Sequence, residues 1–253
     1  MTVSIVTAVY NRVATIGAAI ASVQAQTHRD IEHVIIDGGS TDGTLAQIAS
    51  RRHPRLVFIS EPDDGIYDAL NKGLARSSGD VVGLVHSDDL LAGPHVIARV
   101  AAAFADPAID AVYGDLDYVA ANDVTRVVRH WRAGAFDPAA LRRGWMPPHP
   151  ALFVRRRVFE RHGNYDTGFR IAADYEAVLR WFGHGAITSV YLPETLVLMR
   201  MGGASNRSLG QVLRKSREDL AAIRRHNVGG PGLGSFATLA AKNLRKLPQF
   251  VRR

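Results

Sequence analysis

The chain has 253 residues, 47% hydrophobic and 22% charged, with 23 Gly, 11 Pro and no Cys. This composition suits one large or two small globular domains; it excludes a disordered chain, a disulfide scaffold, thiolate metal sites and a cysteine nucleophile. The net charge is +7, yet from Arg207 onward there are 11 basic and 2 acidic residues, so a body of −2 carries a tail of +9. That placement argues against a nucleic-acid-binding module and for an appended contact, such as an anionic membrane surface. No apolar run reaches 18 residues, and the N-terminal MTVSIVTAVYNR lacks the pattern of a secretory signal. The expectation is a cytoplasmic protein, at the inner face of the plasma membrane if the tail makes that contact.

In chain order, Val3–Thr7 reads as a buried strand and Ala14–Gln26 as a helix, with Ile16, Ile20 and Val23 on one face. A strand at Ile31–Ile36 precedes a helix at Thr41–Ser50, with Ser40 or Thr41 as its cap. A strand at Leu56–Ile59, a helix at Ile66–Arg76, a strand at Val81–Val85 and a helix at Val96–Phe104 follow. Strands alternating with helices of about ten residues predict βαβ units and a mostly parallel sheet. The pattern then loosens: strands are predicted at Ala111–Val119, Val124–Arg129, Ala151–Val154, Ile187–Leu192 and Thr195–Met201, with a helix at Ile171–Phe182. Helices at Leu209–Arg225 and Leu233–Leu247, split by Asn227–Gly232, complete the reading.

Ligands of open α/β sheets bind beyond the carboxyl ends of the strands. Four successive ends here deliver polar groups to one edge: Thr7–Arg12, Asp37–Gly43, Glu61–Tyr67 and His86–Asp89. Carboxylates past a buried strand need water, donors or a cation, and one or two of them with phosphate oxygens make an Mg2+ or Mn2+ site. The competing reading of Ser87 or Asp88 is a helix cap. Asp37 can accept a hydrogen bond from a nucleotide base. No dinucleotide or P-loop glycine motif is present.

Four segments carry a resemblance: Ser4–Asn11, Val34–Thr44, Ser60–Gly73 and Leu84–Asp89. Over roughly Thr2–Ser208 the chain resembles family 2 glycosyltransferases of the GT-A fold, nearest the bacterial colanic-acid and exopolysaccharide branch. The resemblance implies a mixed, mostly parallel Rossmann-like sheet flanked by helices, a catalytic unit over 1–206 (donor half 1–105, acceptor half 106–206) and a basic helical extension over 207–253. It further implies a nucleotide-diphosphate-sugar donor, usually UDP-linked, and Mn2+ or Mg2+. By position Thr7, Ala8, Tyr10, Asp37, Asp64, Tyr67, Asn71, Lys72, His86 and Ser87 would line the nucleotide site. Asp88 would ligate the metal, with Asp89 or His149 as further ligands. His86 departs from the family's usual first acid. Asp174 would be the general base of an inverting transfer to a saccharide or lipid-linked acceptor; the alternative is a helix-first-turn acid favoured by the dipole.

His149 could touch the diphosphate, metal or acceptor, or simply pack in its loop. Asp115-Leu-Asp117 repeats the acidic spacing within a predicted strand and is read as structural. Arg207, Arg214, Lys215 and Arg217 could face a diphosphate. In the tail, Leu233, Phe236, Ala240, Leu244 and Leu247 share a helical face opposite Lys242, Arg245 and Lys246. Such a helix can lie on an anionic membrane, pack on the body, or join a second subunit as a homodimer. A sugar-phosphate nucleotidylyltransferase is the other enzyme considered; it would want a Gly-rich basic loop after the first strand, which Ala8–Val13 does not supply.

Overall fold

The computed structural model describes residues 1–185, 187–202, 209–230 and 232–245. Arg207, Lys246, Leu247 and the rest of the tail lie outside the described residues. The strands are β1 (Val3–Val9), β2 (Ile31–Asp37), β3 (Leu56–Ser60), β4 (Val81–Leu84), β5 (Leu90–Leu91), β6 (Ala111–Ala120), β7 (Asp123–Trp131), β8 (Leu152–Arg155) and β9 (Ser189–Arg200). The helices are α1 (Ile16–Gln24), α2 (Thr44–Ala49), α3 (Ile66–Arg76), α4 (Val96–Ala103), α5 (Pro138–Arg142), α6 (Arg156–His162), α7 (Ala173–Val178), α8 (Leu209–Arg225) and α9 (Gly234–Leu244).

One sheet runs β3-β2-β1-β4-β8-β6-β9-β5, with β7 paired to β6. The β3-β2-β1-β4 half is parallel, whereas β8 is antiparallel to both β4 and β6. Successive residues of β1 enter opposite cores. Val6 and Ala8 join Val34, Ile36, Leu70 and Leu84 on one face, and Val3 and Ile5 join Val81, Ile97 and Phe153 on the other. Burial on both faces explains why these strands read as unbroken apolar runs. Register sets Val9, Asp37 and Ser60 side by side at the carboxyl edge.

Several boundaries differ from the sequence expectation for physical reasons. Helix α2 begins after Gly43, not at Ser40 or Thr41, because the Asp42 carboxylate accepts the Thr44 amide at 3.0 Å while the Ser40 hydroxyl accepts the Asn11 amide at 2.8 Å. The two strands expected around Pro193 are one strand, β9. Its register against β6 breaks between Tyr113 and Asp115, which accommodates a proline that cannot donate to a ladder. The segment after His86–Asp89 is β5, so neither Ser87 nor Asp88 caps a helix there. The helix expected over 171–182 starts at Ala173 and continues as a π-helical turn, Leu179–His184. Helices α5 and α6, each short, carry no long apolar period and were not foreseen.

Candidate active site

The strand-end side is assembled first. Asp37 is fully buried, and its Oδ2 accepts the amides of Gly39 (3.0 Å) and Ser40 (2.9 Å) and the Ser60 hydroxyl (2.8 Å). Its Oδ1 is buried with no partner. Buried acceptors are rarely left unpaired, so this oxygen is preset for a donor the protein does not itself supply. The Asp63 carboxylate lies close over Gly38, so a Cβ there would require the Asp63 side chain to move. Loops after β1 and β2 are latched together: Asn11 takes the Thr41 amide on its Oδ1 at 2.9 Å, and Arg12 donates its amide to the Thr44 hydroxyl at 2.8 Å. Tyr10 stands exposed beside this latch and Asp64 is exposed after β3.

Other predicted nucleotide residues have structural work. Thr7 is buried, donating to the Val85 carbonyl at 2.7 Å and meeting His33 Nε2 at 3.0 Å. Ala8 and Ser87 are buried in the strand ends. Asn71 exchanges two hydrogen bonds with the Tyr165 backbone, at 2.8 and 3.1 Å, and so ties α3 to the loop before α7. Lys72 braces the loop before α3 through the Pro62 carbonyl (2.7 Å) and Glu61 (3.6 Å), and pairs with Asp68 one turn back on its own helix (3.0 Å).

The helical side supplies the remaining acid. Asp174 is half-buried in the first turn of α7, and the Tyr67 hydroxyl donates to its Oδ1 at 3.1 Å and to the Ile171 carbonyl at 2.8 Å. Burial pushes the Asp174 pKa up, but His149, which gains its charge only in acid, together with Lys215 and Lys242 pulls it below the usual carboxylate range. Tyr67 moves the other way: burial and the Asp174 charge raise it well above an ordinary phenol, so it stays a donor.

The two sides meet through histidines. His86 and His149 rings lie 6.3 Å apart, and His149 Nε2 bonds the Tyr165 hydroxyl at 2.9 Å. Tyr165 in turn packs on Tyr67, with ring centroids 5.9 Å apart. Burial lowers the His86 pKa against opposing pulls from Asp88 and Asp174, and brings His149 down to about 4. Both imidazoles are therefore neutral near pH 7 and can act as hydrogen-bonding groups or ligands. Chain-distant His86, Asp88, His149 and Asp174 thus share one electrostatic neighbourhood.

Asp89 does not join that group as expected. It is buried against β9, its Oδ1 accepts the Arg200 amide at 3.3 Å, and burial raises its pKa well above the usual value. Its Oδ2 has no partner. His149 is likewise turned to Tyr165 rather than into a ligand cluster, and no group of three or more His, Asp or Glu among the described residues is placed to hold a metal unaided. The half-buried Asp88 still fits a hard divalent ion whose remaining ligands are diphosphate oxygens and water. Asp115 and Asp117 are structural: Asp115 accepts the Ala133 amide (2.9 Å) and Tyr191 hydroxyl (2.8 Å), and Asp117 meets His130 at 2.6 Å.

Three supporting residues make contacts that the sequence does not reveal. Glu218 on α8 accepts the amides of Ile171 (2.8 Å) and Ala172 (3.0 Å) through one carboxylate oxygen, anchoring the start of α7. Lys242 on α9 is buried 3.3 Å from the Tyr175 ring centroid and 2.7 Å from Asp219, a charge contact outside hydrogen-bond alignment; burial brings its pKa down to about 7. Glu176 is held by Arg180 (3.1 and 2.8 Å) and His226 (2.8 Å). Apart from Arg180, their partners lie far away in the chain, so no local pattern named them.

Comparison with known proteins accords with this geometry. The Glycosyl transferase family 2 profile matches residues 4–172, and the chain belongs to that family. An uncharacterized glycosyltransferase of Mycobacterium tuberculosis is 35% identical over 71% of this chain and 68% of its own length. A PGL/p-HBAD biosynthesis glycosyltransferase of Mycobacterium bovis is 34% identical over 80% and 78%. Among solved structures, the mannosyltransferase PcManGT of Pyrobaculum calidifontis, in complex with GDP-Man and Mn2+, aligns with a TM-score of 0.67 at 18% identity, over 95% of this chain and 68% of that one. S. aureus TarS 1–349 in complex with UDP-GlcNAc gives 0.65 at 16% identity, over 97% and 72%. The fold is therefore the mixed α/β GT-A type and the protein is a glycosyltransferase. Of these two relatives one is named for PGL/p-HBAD biosynthesis and the other is uncharacterized, and neither name points to a colanic-acid branch.

Proposed function

We propose that this glycosyltransferase moves a sugar with inversion from a nucleotide-diphosphate donor, UDP-linked, to a hydroxyl of a saccharide or lipid-linked acceptor in bacterial surface-glycan assembly. The observation that carries the reading is the run of contacts from Asp174 through Tyr67, Tyr165 and His149 to His86 beside the strand ends. Asp37 Oδ1 accepts the base N–H, while Tyr10 and Asp64 flank the nucleotide. Thr7, Ala8, Ser87, Asn71 and Lys72 shape that side rather than touch the donor with their side chains.

Asp174 accepts the proton of the acceptor hydroxyl as its oxygen attacks the anomeric carbon, and the nucleoside diphosphate departs. Its lowered pKa keeps it ionised at neutral pH, and Tyr67 fixes its orientation without competing for that proton. His86 and His149 line the path between donor and acceptor as neutral hydrogen-bonding groups. Asp88 would hold Mn2+ or Mg2+, which when bound neutralises the diphosphate leaving group. The support is the donor set and a fold shared with a structure that contains Mn2+.

Asp174→Asn tests the assignment. Turnover should fall roughly 10²-fold or more, the scale of general-base loss, with donor affinity nearly unchanged. A variant that loses donor affinity but keeps its turnover at saturation would make Asp174 a binding residue instead.

A further inference from the structure

Helix α9 is amphipathic in the reverse sense. Its inner face, against the body, carries the buried Ser235, Thr238 and Lys242, with the half-buried Leu239 packed on the core. Thr238 donates to the Arg142 carbonyl at 3.0 Å, and Gly144 (φ +71°) abuts the Lys242 backbone so closely that a Cβ would collide with it. Its outer face is Leu233, Phe236, Ala237, Ala240 and Leu244, all exposed. Leu233 is 80% exposed, Leu244 62% and Phe236 47%. The neighbouring α8 adds Leu213, 61% exposed, on the helical face of Arg217 and Arg224. The tail helix was expected to show a basic face opposite its apolar stripe; Lys242 is instead the residue that plugs it into the body.

Charge is sorted the same way. Both acids of the described 209–245 segment turn inward, Glu218 to the start of α7 and Asp219 to Lys242 and Lys215. Arg214, Arg217 and Arg224 are exposed, and the Arg224 guanidinium lies 5.0 Å from the Phe236 ring centroid. The outer surface of α8 and α9 therefore pairs a solvent-facing apolar stripe with arginines and no carboxylate.

We propose that this surface docks the enzyme on an anionic lipid bilayer. Exposed apolar stripes bordered by cations suit the headgroup boundary, where burial and attraction to anionic lipid add. The bilayer, rather than a second copy, is the favoured occupant because two such faces would bring like-charged arginines together. The placement has a functional sense that rests on the transfer reading above. Glu218 and Lys242 lie just behind the Asp174 helix, so the bilayer would sit about one helix diameter, roughly 10 Å, from the site that receives a lipid-linked acceptor.

Truncating the tail is a poor test, because it would uncover Asp219 and Gly144. Surface substitutions are cleaner. The full chain should sediment with vesicles of phosphatidylcholine mixed with phosphatidylglycerol, not with phosphatidylcholine alone, and release at high salt. Phe236→Gln with Leu244→Gln should abolish sedimentation while Tm and donor binding stay at wild-type values. Arg214→Glu with Arg217→Glu should weaken vesicle binding on the order of 10²-fold or more. Full-length protein that ignores anionic vesicles, or substituted protein that still sediments like wild type, overturns the proposal. A dimer in light scattering that the apolar pair converts to monomer, without vesicle binding, assigns the face to a second copy. Donor turnover on a water-soluble acceptor is measured alongside, so a failed transfer reading would be seen separately from failed docking.

Discussion

On the strand-end side of the site, Asp37 closes β2 and Asp88 lies in the short loop between β4 and β5, and the partners of Asp37 are the adjacent Gly39 and Ser40 with Ser60 of the neighbouring strand. On the helical side, Asp174 is held by Tyr67 of α3, by Glu218 of α8 acting on Ile171 and Ala172, and by the charges of Lys215 and Lys242. Three helices, α3, α8 and α9, therefore converge on one carboxylate. The difference teaches that a parallel sheet presents binding groups locally, whereas a proton-accepting group set against it needs long-range packing for both position and charge.

Substitutions can break this contrast. The largest effect is expected at Asp88: Asp88→Asn should abolish transfer and Mn2+-dependent donor binding, measured by calorimetry with and without the ion. Near-normal turnover without added metal would remove Asp88 from the metal site. Asp37→Asn comes next. It can keep an oxygen toward Gly39 and Ser40 while turning an amide toward the base, so a uridine donor should weaken by about 1–3 kcal/mol with Tm almost unchanged. Equal donor affinity would refute the base contact.

Glu218→Ala probes the helical side. Losing the anchor of α7 should lower kcat roughly tenfold, the result of a slightly misplaced base, while donor KM holds and Glu218→Gln retains most activity. A parallel fall in donor affinity would show that the two sides are not separable. The smallest effect on turnover is expected at Glu176. Burial opposes its charge, but His226 and Arg180 outweigh that and bring its pKa down to about 2 from 4.5. A pKa lower in the folded state gives stability that is complete above about 4.5 and is lost as pH falls toward 2. The stability gap between wild type and Glu176→Gln should therefore shrink across that window, by about 2–3 kcal/mol, in acid-denaturation curves.

The limits of the sequence reading follow the same division. The pattern of apolar runs and helical periods marked β1 to β4 within two residues and gave α3 and α8 their observed bounds, because burial on both sheet faces and amphipathic periodicity are written locally. The acidic strand ends were legible for the same reason. The pattern could not show that Asn71 grips Tyr165 across the molecule, that Asp89 turns into the sheet, or that one strand runs past Pro193.

Which face of α9 points inward was the least legible feature. Its apolar stripe and basic face were visible in the sequence, and ordinary burial would have put the stripe inside. The tertiary structure reversed it: Asp219 needs a cation, Gly144 admits a close helix backbone, and Arg142 offers a carbonyl to Thr238. Each of these comes from another part of the chain. Local composition thus determined the elements and the residue types at the sheet edge, while pairing of buried charges and steric fit between distant segments decided what surrounds Asp174 and which surface is left exposed.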